Sequence, residues 1–453
     1  MIIMKTVQIW IASMILLASG GKLSAQQIDT ATYSFTLKQS VDYGLTNSTQ
    51  VRTAQLQQMQ AKEKVQEVLG IGLPQIEGSF QVQNFLEIPT SLIPAEIFGG
   101  PAGQFIPVQF GTKYSATGTF SASQLLFSGT WLYGLKGAKV YQDLAAKNIA
   151  RTQLETSSEI TKAYYTALVN QERKTLLTAN VVRVKKIMDD TKALYENGFV
   201  EKIDLDRITV AYNNLVTEVS NVQRLLDLSV VLLKYQIGMD QAATLTLTDK
   251  LSDVSFKPAE PTNGRFNYAN RIEYQIMQRN LEGQQLIFKS QRIGYLPTIA
   301  AFASASAQAQ RQEFDIFARK RWYPIVVIGL QVNMPIFDGL QRYHRVQYAR
   351  IGIMQAENDL LMMQRTIDMQ QAVTRVTLQN SSATLESQKA NMDLAQSVLD
   401  VAQKKYDQGV GSNLEIISAQ TALKEAQTNY FNALYEAVIA KVDYDTAMGI
   451  FQN

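Results

Sequence analysis

One order of landmarks runs through this chain twice. Phe127-Ser128-Gly129 returns as Phe337-Asp338-Gly339, 210 residues on, and Tyr195 and Gly198 return as Tyr406 and Gly409 at an offset of 211. Ile237-Gly238-Met239 is matched by Met448-Gly449-Ile450, again 211 residues later. The pairs Leu73-Pro74 and Leu296-Pro297 lie 223 apart, so the first copy carries about 13 extra residues between its proline and its Phe-x-Gly. Landmarks that recur in register mark two copies of one supersecondary unit, and the fold of one copy constrains the other. The reading is a first repeat over 26–240, a linker over 241–265 containing Pro258 and Pro261, and a second repeat over 266–453.

After each Leu-Pro the polarity alternates with a period of two, the pattern of a strand with two different faces. Ile76, Gly78, Phe80 and Val82 alternate with Gln75, Glu77, Ser79, Gln81 and Gln83. Tyr114, Ala116, Gly118, Phe120 and Ala122 alternate with serines and threonines. The second copy sets Ile299 and the odd-numbered alanines to Ala309 against Ser304, Ser306, Gln308 and Gln310, then Ile328, Leu330, Val332 and Met334 against Gly329, Gln331 and Asn333. The hairpin strands fall at about 75–84 and 114–124, and at about 298–310 and 324–335. About ten residues is what a tilted strand needs to cross a bilayer, with the apolar face to lipid and the uncharged polar face to water.

The rest reads as helix. Residues 131–196 and 338–408 contain no proline and are rich in helix formers, implying helices of roughly 100 Å at 1.5 Å per residue. Met392, Ala395, Leu399, Ala402 and Tyr406 follow the 3,4 spacing of a coiled-coil seam, and Val181, Val184, Met188, Thr191 and Tyr195 take the matching places. Shorter helices are expected at 37–69, 202–238, 270–292 and 413–448, with a short strand at Leu245 and Leu247.

Lys5, the apolar run Val7 to Ser19 and Leu23-Ser24-Ala25 read as a secretory leader over 1–25. No later stretch is long and apolar enough for a transmembrane helix, so a membrane span would have to be made of strands. A net charge of +3 gives no reason to expect nucleic acid. The absence of cysteine excludes disulfides, thiolate metal sites and a lipid-modified N-terminal cysteine, and His344 is the sole histidine. With no phosphate-cradling loop, metal-ligand spacing or nucleophile motif, neither an enzyme nor a metal or other cofactor is indicated.

Four membrane strands leave two open edges, and each unpaired backbone group in lipid costs several kcal/mol. The fold expected is therefore mainly α with a membrane β-barrel portion. Each duplicated unit joins long coiled-coil helices to a β-hairpin, and oligomerisation completes the barrel from four strands per chain.

At this point the residues resemble the TolC-like outer-membrane efflux protein family over essentially the whole mature chain. The carriers are Leu73-Pro74 and Leu296-Pro297 before a strand, the Phe-x-Gly turns ending at Gly129 and Gly339, and Leu233-Lys-Tyr-Gln-Ile-Gly238. The most specific is Tyr406-Asp-Gln-Gly409 followed by Leu414-Glu-Ile-Ile-Ser-Ala-Gln420. The resemblance implies a homotrimer with twelve barrel strands in the outer membrane of a Gram-negative bacterium, its helices in the periplasm. It further implies a periplasmic adaptor protein, an inner-membrane pump of RND or ABC type, and contact with outer-membrane lipid. The function implied is a passive conduit in a tripartite efflux system for small molecules. The alternatives are a channel for type I protein secretion, or a periplasmic coiled-coil scaffold that is no channel.

The turns at Gly198 and Gly409 should form the helix tips, where family members constrict. Asp204 and Glu415 occupy equivalent places just beyond, so symmetry would multiply them into an acidic ring. Ser412-Asn-Leu-Glu415 is also a capping-box pattern, so helix capping is the competing explanation. The family's second gate carboxylate would fall at Ser418, whose repeat partner is Arg207; Asp206 is placed either to substitute for it or to pair with Arg207. The loop from about Asn84 to Lys113, with four prolines and Phe98, Phe105 and Phe110, should pack against something, either as a lid or against a neighbouring subunit. Arg319-Lys320-Arg321-Trp322-Tyr323 would place cations and aromatics at the lipid interface, or form a solvated cluster.

Overall fold

The computed structural model describes residues 32–251 and 266–450. The leader read over 1–25, and Pro258 and Pro261 of the linker, lie outside them. The chain divides into two compact units that cut across the repeats: Thr49–Glu155 with Pro258–Thr377 and Asp443–Asn453, and the remainder to Ser48, Thr156–Lys257 and Leu378–Val442. Each unit therefore takes part of both copies.

The first of these carries the main sheet. Strands β2 (Gln75–Asn84), β5 (Tyr114–Phe127), β7 (Thr298–Arg311) and β8 (Tyr323–Asn333) lie antiparallel in the order β2-β5-β7-β8. The two hairpins thus join through β5 and β7. Register gathers the apolar positions on one face: Phe80 opposes Gly118 and Gly118 opposes Ala307, while Ile76, Ala122, Ala303 and Ile328 form another such row. The other face collects Ser79, Thr119 and Ser306, then Glu77, Ser121 and Ser304. Several residues break this alternation, Leu125 opposite Ala300 and Tyr323 opposite Gln308 among them. Phe302 opposes Ser123 and Gly329, Ile325 opposes Ser306, and Val327 opposes Ser304, all on the polar face. Gly329 makes room for the Phe302 ring, which would lie 2.7 Å from a β-carbon there.

Helices α2 (Thr49–Gly70) and α5 (Ile272–Ile293) stop shortly before Pro74 and Pro297, each directly ahead of a strand, as expected of a residue that pushes its predecessor into extended backbone. Side chains take up the carbonyls freed at the end of α2. Trp131 Nε1 donates to Val68 O at 2.8 Å, Gln75 Nε2 to Gly70 O at 2.8 Å, and Gln124 Nε2 to Gly72 O at 2.6 Å. The repeat-equivalent glycines differ. Gly129 opens α3 (Gly129–Glu196), with a β-carbon there only 2.5 Å from Ile293, whereas Gly339 is left-handed at φ 65° and is followed by Leu340 at φ 67°.

Beyond the strands, Ile316 is buried with Ala116 and Ala309 on the apolar face, Trp322 packs on them, and the Trp322 and Phe80 rings are 6.5 Å apart. Asp315 pairs with Lys320, and Arg311 Nε lies 3.4 Å from it. The segment after β2 is no simple loop: β3 (Thr90–Pro94) and β4 (Phe105–Gln109) form a small hairpin of their own.

The second unit is built from the distal half of α3, α4 (Lys202–Ile237), the distal half of α6 (Gln341–Asp407) and most of α7 (Asn413–Met448). Matching helices in the two repeats have 68 and 67 residues, and 36 each. One core joins Val184, Ile187, Ile208, Leu215, Leu399, Ile416 and Leu423, with Met392, Ala395 and Tyr406 packed on it. The seam read from the 3,4 spacing lies there, except that Tyr195 is 39% exposed where its counterpart Tyr406 is partly buried against the core.

A second core packs Ile160, Tyr164, Leu168, Leu233 and Ile237 beneath a parallel pair, β1 (Thr32–Phe35) with β6 (Thr244–Leu247). The helix expected over 37–69 is broken: α1 (Leu37–Asn47) ends where Ser48 turns extended, at ψ 129°. Gly238 meets this break at φ 70°, and a β-carbon there would lie 2.6 Å from Asn47 O. No described helix is long and apolar enough to cross a membrane.

Candidate functional site: helix turns and sheet faces

The turns from α3 to α4 and from α6 to α7 share one geometry. Gly198 at φ 80° and Gly409 at φ 76° are left-handed. Phe199 N–H donates to Leu194 O at 2.9 Å and Gly198 N–H to Tyr195 O at 3.0 Å; Val410 and Gly409 repeat this with Lys405 and Tyr406 at 3.0 and 2.9 Å. This is the Schellman ending, which satisfies the last helical carbonyls and favours glycine for its positive φ.

Just beyond, the sequence-predicted acids lie in the first turns of α4 and α7. Ser412 Oγ accepts from Glu415 N–H at 3.2 Å, and Lys405 Nζ donates to Glu415 Oε2 at 2.8 Å. Asp204 Oδ1 lies 4.0 Å from Arg207, so Arg207 is placed toward Asp204 rather than Asp206. Asp206 and Ser418 are exposed. Each equivalent acid therefore sits in a first turn beside a local cation, an arrangement that favours the helix dipole and lowers the net charge presented to solvent.

Polar contacts that periodicity did not reveal join the repeats within this unit. Asn413, buried, donates through Nδ2 to Asp204 O at 2.8 Å, linking the starts of α7 and α4. Thr191 Oγ1 and Tyr406 OH are 3.3 Å apart. Deeper in, buried Asn180 donates to Gln427 Oε1 at 2.8 Å, and Gln420 is 4% exposed. The repeat partner of Gln427 is Val216, so duplication gave no signal for this pair. A polar layer in an apolar bundle fixes helix register, since slippage would strand buried polar groups.

The second candidate surface is the sheet. Its outer strands β2 and β8 have unpaired outer edges among the described residues, and both are exposed along nearly their whole length. Phe80, Phe120, Ile328 and Leu330 are uncovered on the apolar face. A face of this chemistry, opposite one of Ser, Thr and Gln, suits a wall between lipid and water.

The family described as outer membrane efflux protein matches residues 277–449. No curated protein matches the sequence. The fold is similar to that of the outer membrane protein VceC from Vibrio cholerae, at 15% identity over 91% of this chain and 96% of that one, with a TM-score of 0.67. It is also similar to the MtrE outer membrane channel of Neisseria gonorrhoeae, at 14% identity over 91% and 88% of the two chains and a TM-score of 0.71. The CmeC outer membrane channel of Campylobacter jejuni matches at 15% identity over 91% and 85%, with a TM-score of 0.66. Residues 277–449 thus match the outer membrane efflux protein family, and nearly the whole chain has a fold similar to that of the CmeC and MtrE outer membrane channels.

Proposed function

We propose that the chain is one subunit of an outer-membrane conduit, a passive path from periplasm to exterior for small molecules. The observation that carries this reading is the four-stranded sheet: one apolar face, one polar face, and two free edges at β2 and β8. Free edges are costly in lipid, and copies of the same chain supply matching strands. Three copies would close twelve strands, as the outer membrane factor resemblance implies, with a periplasmic adaptor and an inner-membrane pump completing the path. Type I protein secretion would use the same conduit. In this setting the helix turns at Gly198 and Gly409 face the periplasm, and Asp204 and Glu415 form the candidate gate, with Asp206, Arg207 and Ser418 on its rim.

Fractionation and semi-native electrophoresis test this. The reading expects a detergent-resistant oligomer in outer membranes that becomes monomeric only on heating. A soluble periplasmic monomer would overturn it in favour of a coiled-coil scaffold.

A further inference from the structure

We infer that the segment joining β2 to β5, residues 85–113, is an intersubunit clasp whose apolar side chains seat on Ile325 and Val327 at the start of β8 in the adjacent copy. The inference rests on the proposed closure of a common sheet by copies of this chain. It follows from placement, from two uncovered apolar surfaces and from charge.

β2 and β8 are the two outer strands, so closure by copies sets β2 of one chain beside β8 of the next. Register puts the last residue of β2, Asn84, opposite Tyr114, and Tyr114 opposite Arg311, the last residue of β7. β8 begins with Tyr323, opposite Gln308, near that same end of the sheet. The segment therefore leaves the sheet where the next copy's β8 begins. Within one chain the two edges are three strand spacings apart, roughly 14 Å; across the seam they are one spacing apart, about 5 Å.

Both surfaces are uncovered within one chain. Ile97, Phe98, Phe105 and Phe110 in the segment are 69%, 65%, 62% and 60% exposed, although β3 and β4 fold the segment into an ordered hairpin. On the sheet's polar face, Ile325 and Val327 are 53% and 45% exposed, and both belong to the edge strand. Their neighbours on that face, Ser304 and Ser306, are what a wetted wall requires. Two branched aliphatics there are unexplained until something apolar covers them. Exposed apolar clusters of this kind, at a free edge, mark a contact surface.

Charge agrees. The segment carries Glu87 and Glu96 against a single cation, Lys113, at its junction with β5, whereas Arg319 and Arg321 precede β8, exposed and without an acidic partner among the described residues. The occupant thus matches the site in both its apolar and its charged parts.

The chain has no cysteine, so disulfide mapping needs no background removal. Phe98→Cys, Phe105→Cys and Phe110→Cys would each be combined with Ile325→Cys or Val327→Cys, and the assembled protein oxidised in membranes. The clasp expects covalent dimers and trimers on non-reducing gels. It also expects the variant with Phe98, Phe105 and Phe110 all changed to Ser to dissociate at a lower temperature than the parent oligomer. Intact oligomers that yield no intersubunit disulfide at any pairing, or a cross-link confined within the monomer, would overturn the clasp and leave the channel reading standing. An unchanged dissociation temperature of the serine variant would also overturn it. Failure of the parent chain to form any oligomer would remove both.

Discussion

Ala303 and Ser304 are small neighbours on the central strand β7 and occupy opposite faces. Ala303 opposes Ala122 and Ile328 on the apolar face, and Ser304 opposes Ser121 and Val327 on the other. Ala303 is the sixth of 14 strand residues, about 5 Å along the strand from its centre. An arginine on the lipid face of a membrane barrel costs about 2–4 kcal/mol at the midplane and about 0–1 near the interface. Ala303→Arg should therefore fall in the upper part of that range, a factor on the order of 30- to 700-fold for each subunit in the assembly equilibrium. Ser304→Arg adds the same bulk and charge to the same strand, but into water, and should cost little while turning the pore toward anions. The assay is the fraction of heat-modifiable oligomer recovered from outer membranes, followed by urea titration in lipid. Equal losses for the two variants, or a larger loss for Ser304→Arg, would refute the assignment of faces.

At the helix turns, Glu415→Ala and Asp204→Ala should each reduce cation selectivity and block by multivalent cations, while costing less than about 1 kcal/mol as half-exposed first-turn acids. Unchanged single-channel conductance and cation block would remove the acidic ring and leave helix capping as their role. Tyr164 is buried and hydrogen-bonded to Asp249, and burial first, then the neighbouring carboxylate, push its phenol above the ordinary value of 10.0. The folded state then holds a proton that the unfolded state releases, so this contribution is full below pH 10.0 and declines as pH rises above it. Tyr164→Phe should be less stable at neutral pH yet show a flatter alkaline loss, measured by thermal unfolding; parallel pH profiles would contradict it. Gly238→Ala, left-handed and against Asn47 O, should destabilise by roughly 2–5 kcal/mol, whereas Gly134→Ala, with open space in α3, should stabilise slightly. Comparable melting temperatures for the two would count against the packing described.

Much of this architecture was legible because two periodicities dominate the chain. Alternation located β2, β5, β7 and β8 to within a few residues, and the long proline-free runs located α3 and α6. What stayed hidden was set by contacts distant in sequence. The break at Ser48 is where Gly238 fits against Asn47, a contact distant in sequence, and the only local trace of it is the helix-capping type of Asn47 and Ser48. Phe302, Ile325 and Val327 share parity with polar residues of their own strands, but that they lie beside Ser123, Ser306 and Ser304 emerges only once register is known. At the helix turns, duplication pointed to Gly198, Gly409, Asp204 and Glu415, which share a structural position. It could not point to Lys405 or Gln427, whose repeat partners are Leu194 and Val216. Symmetric features are visible to a repeat; the polar contacts that distinguish the copies are not.

The central claim, that copies of this sheet close into a water-filled membrane path, is tested most directly by single-channel recording of the purified oligomer in a planar bilayer. Discrete, long-lived conductance steps are expected, with Ser304→Arg raising anion over cation permeability. A bilayer that stays silent with correctly folded, assembled oligomer, or steps whose ion selectivity is indifferent to charge at Ser304, would contradict it.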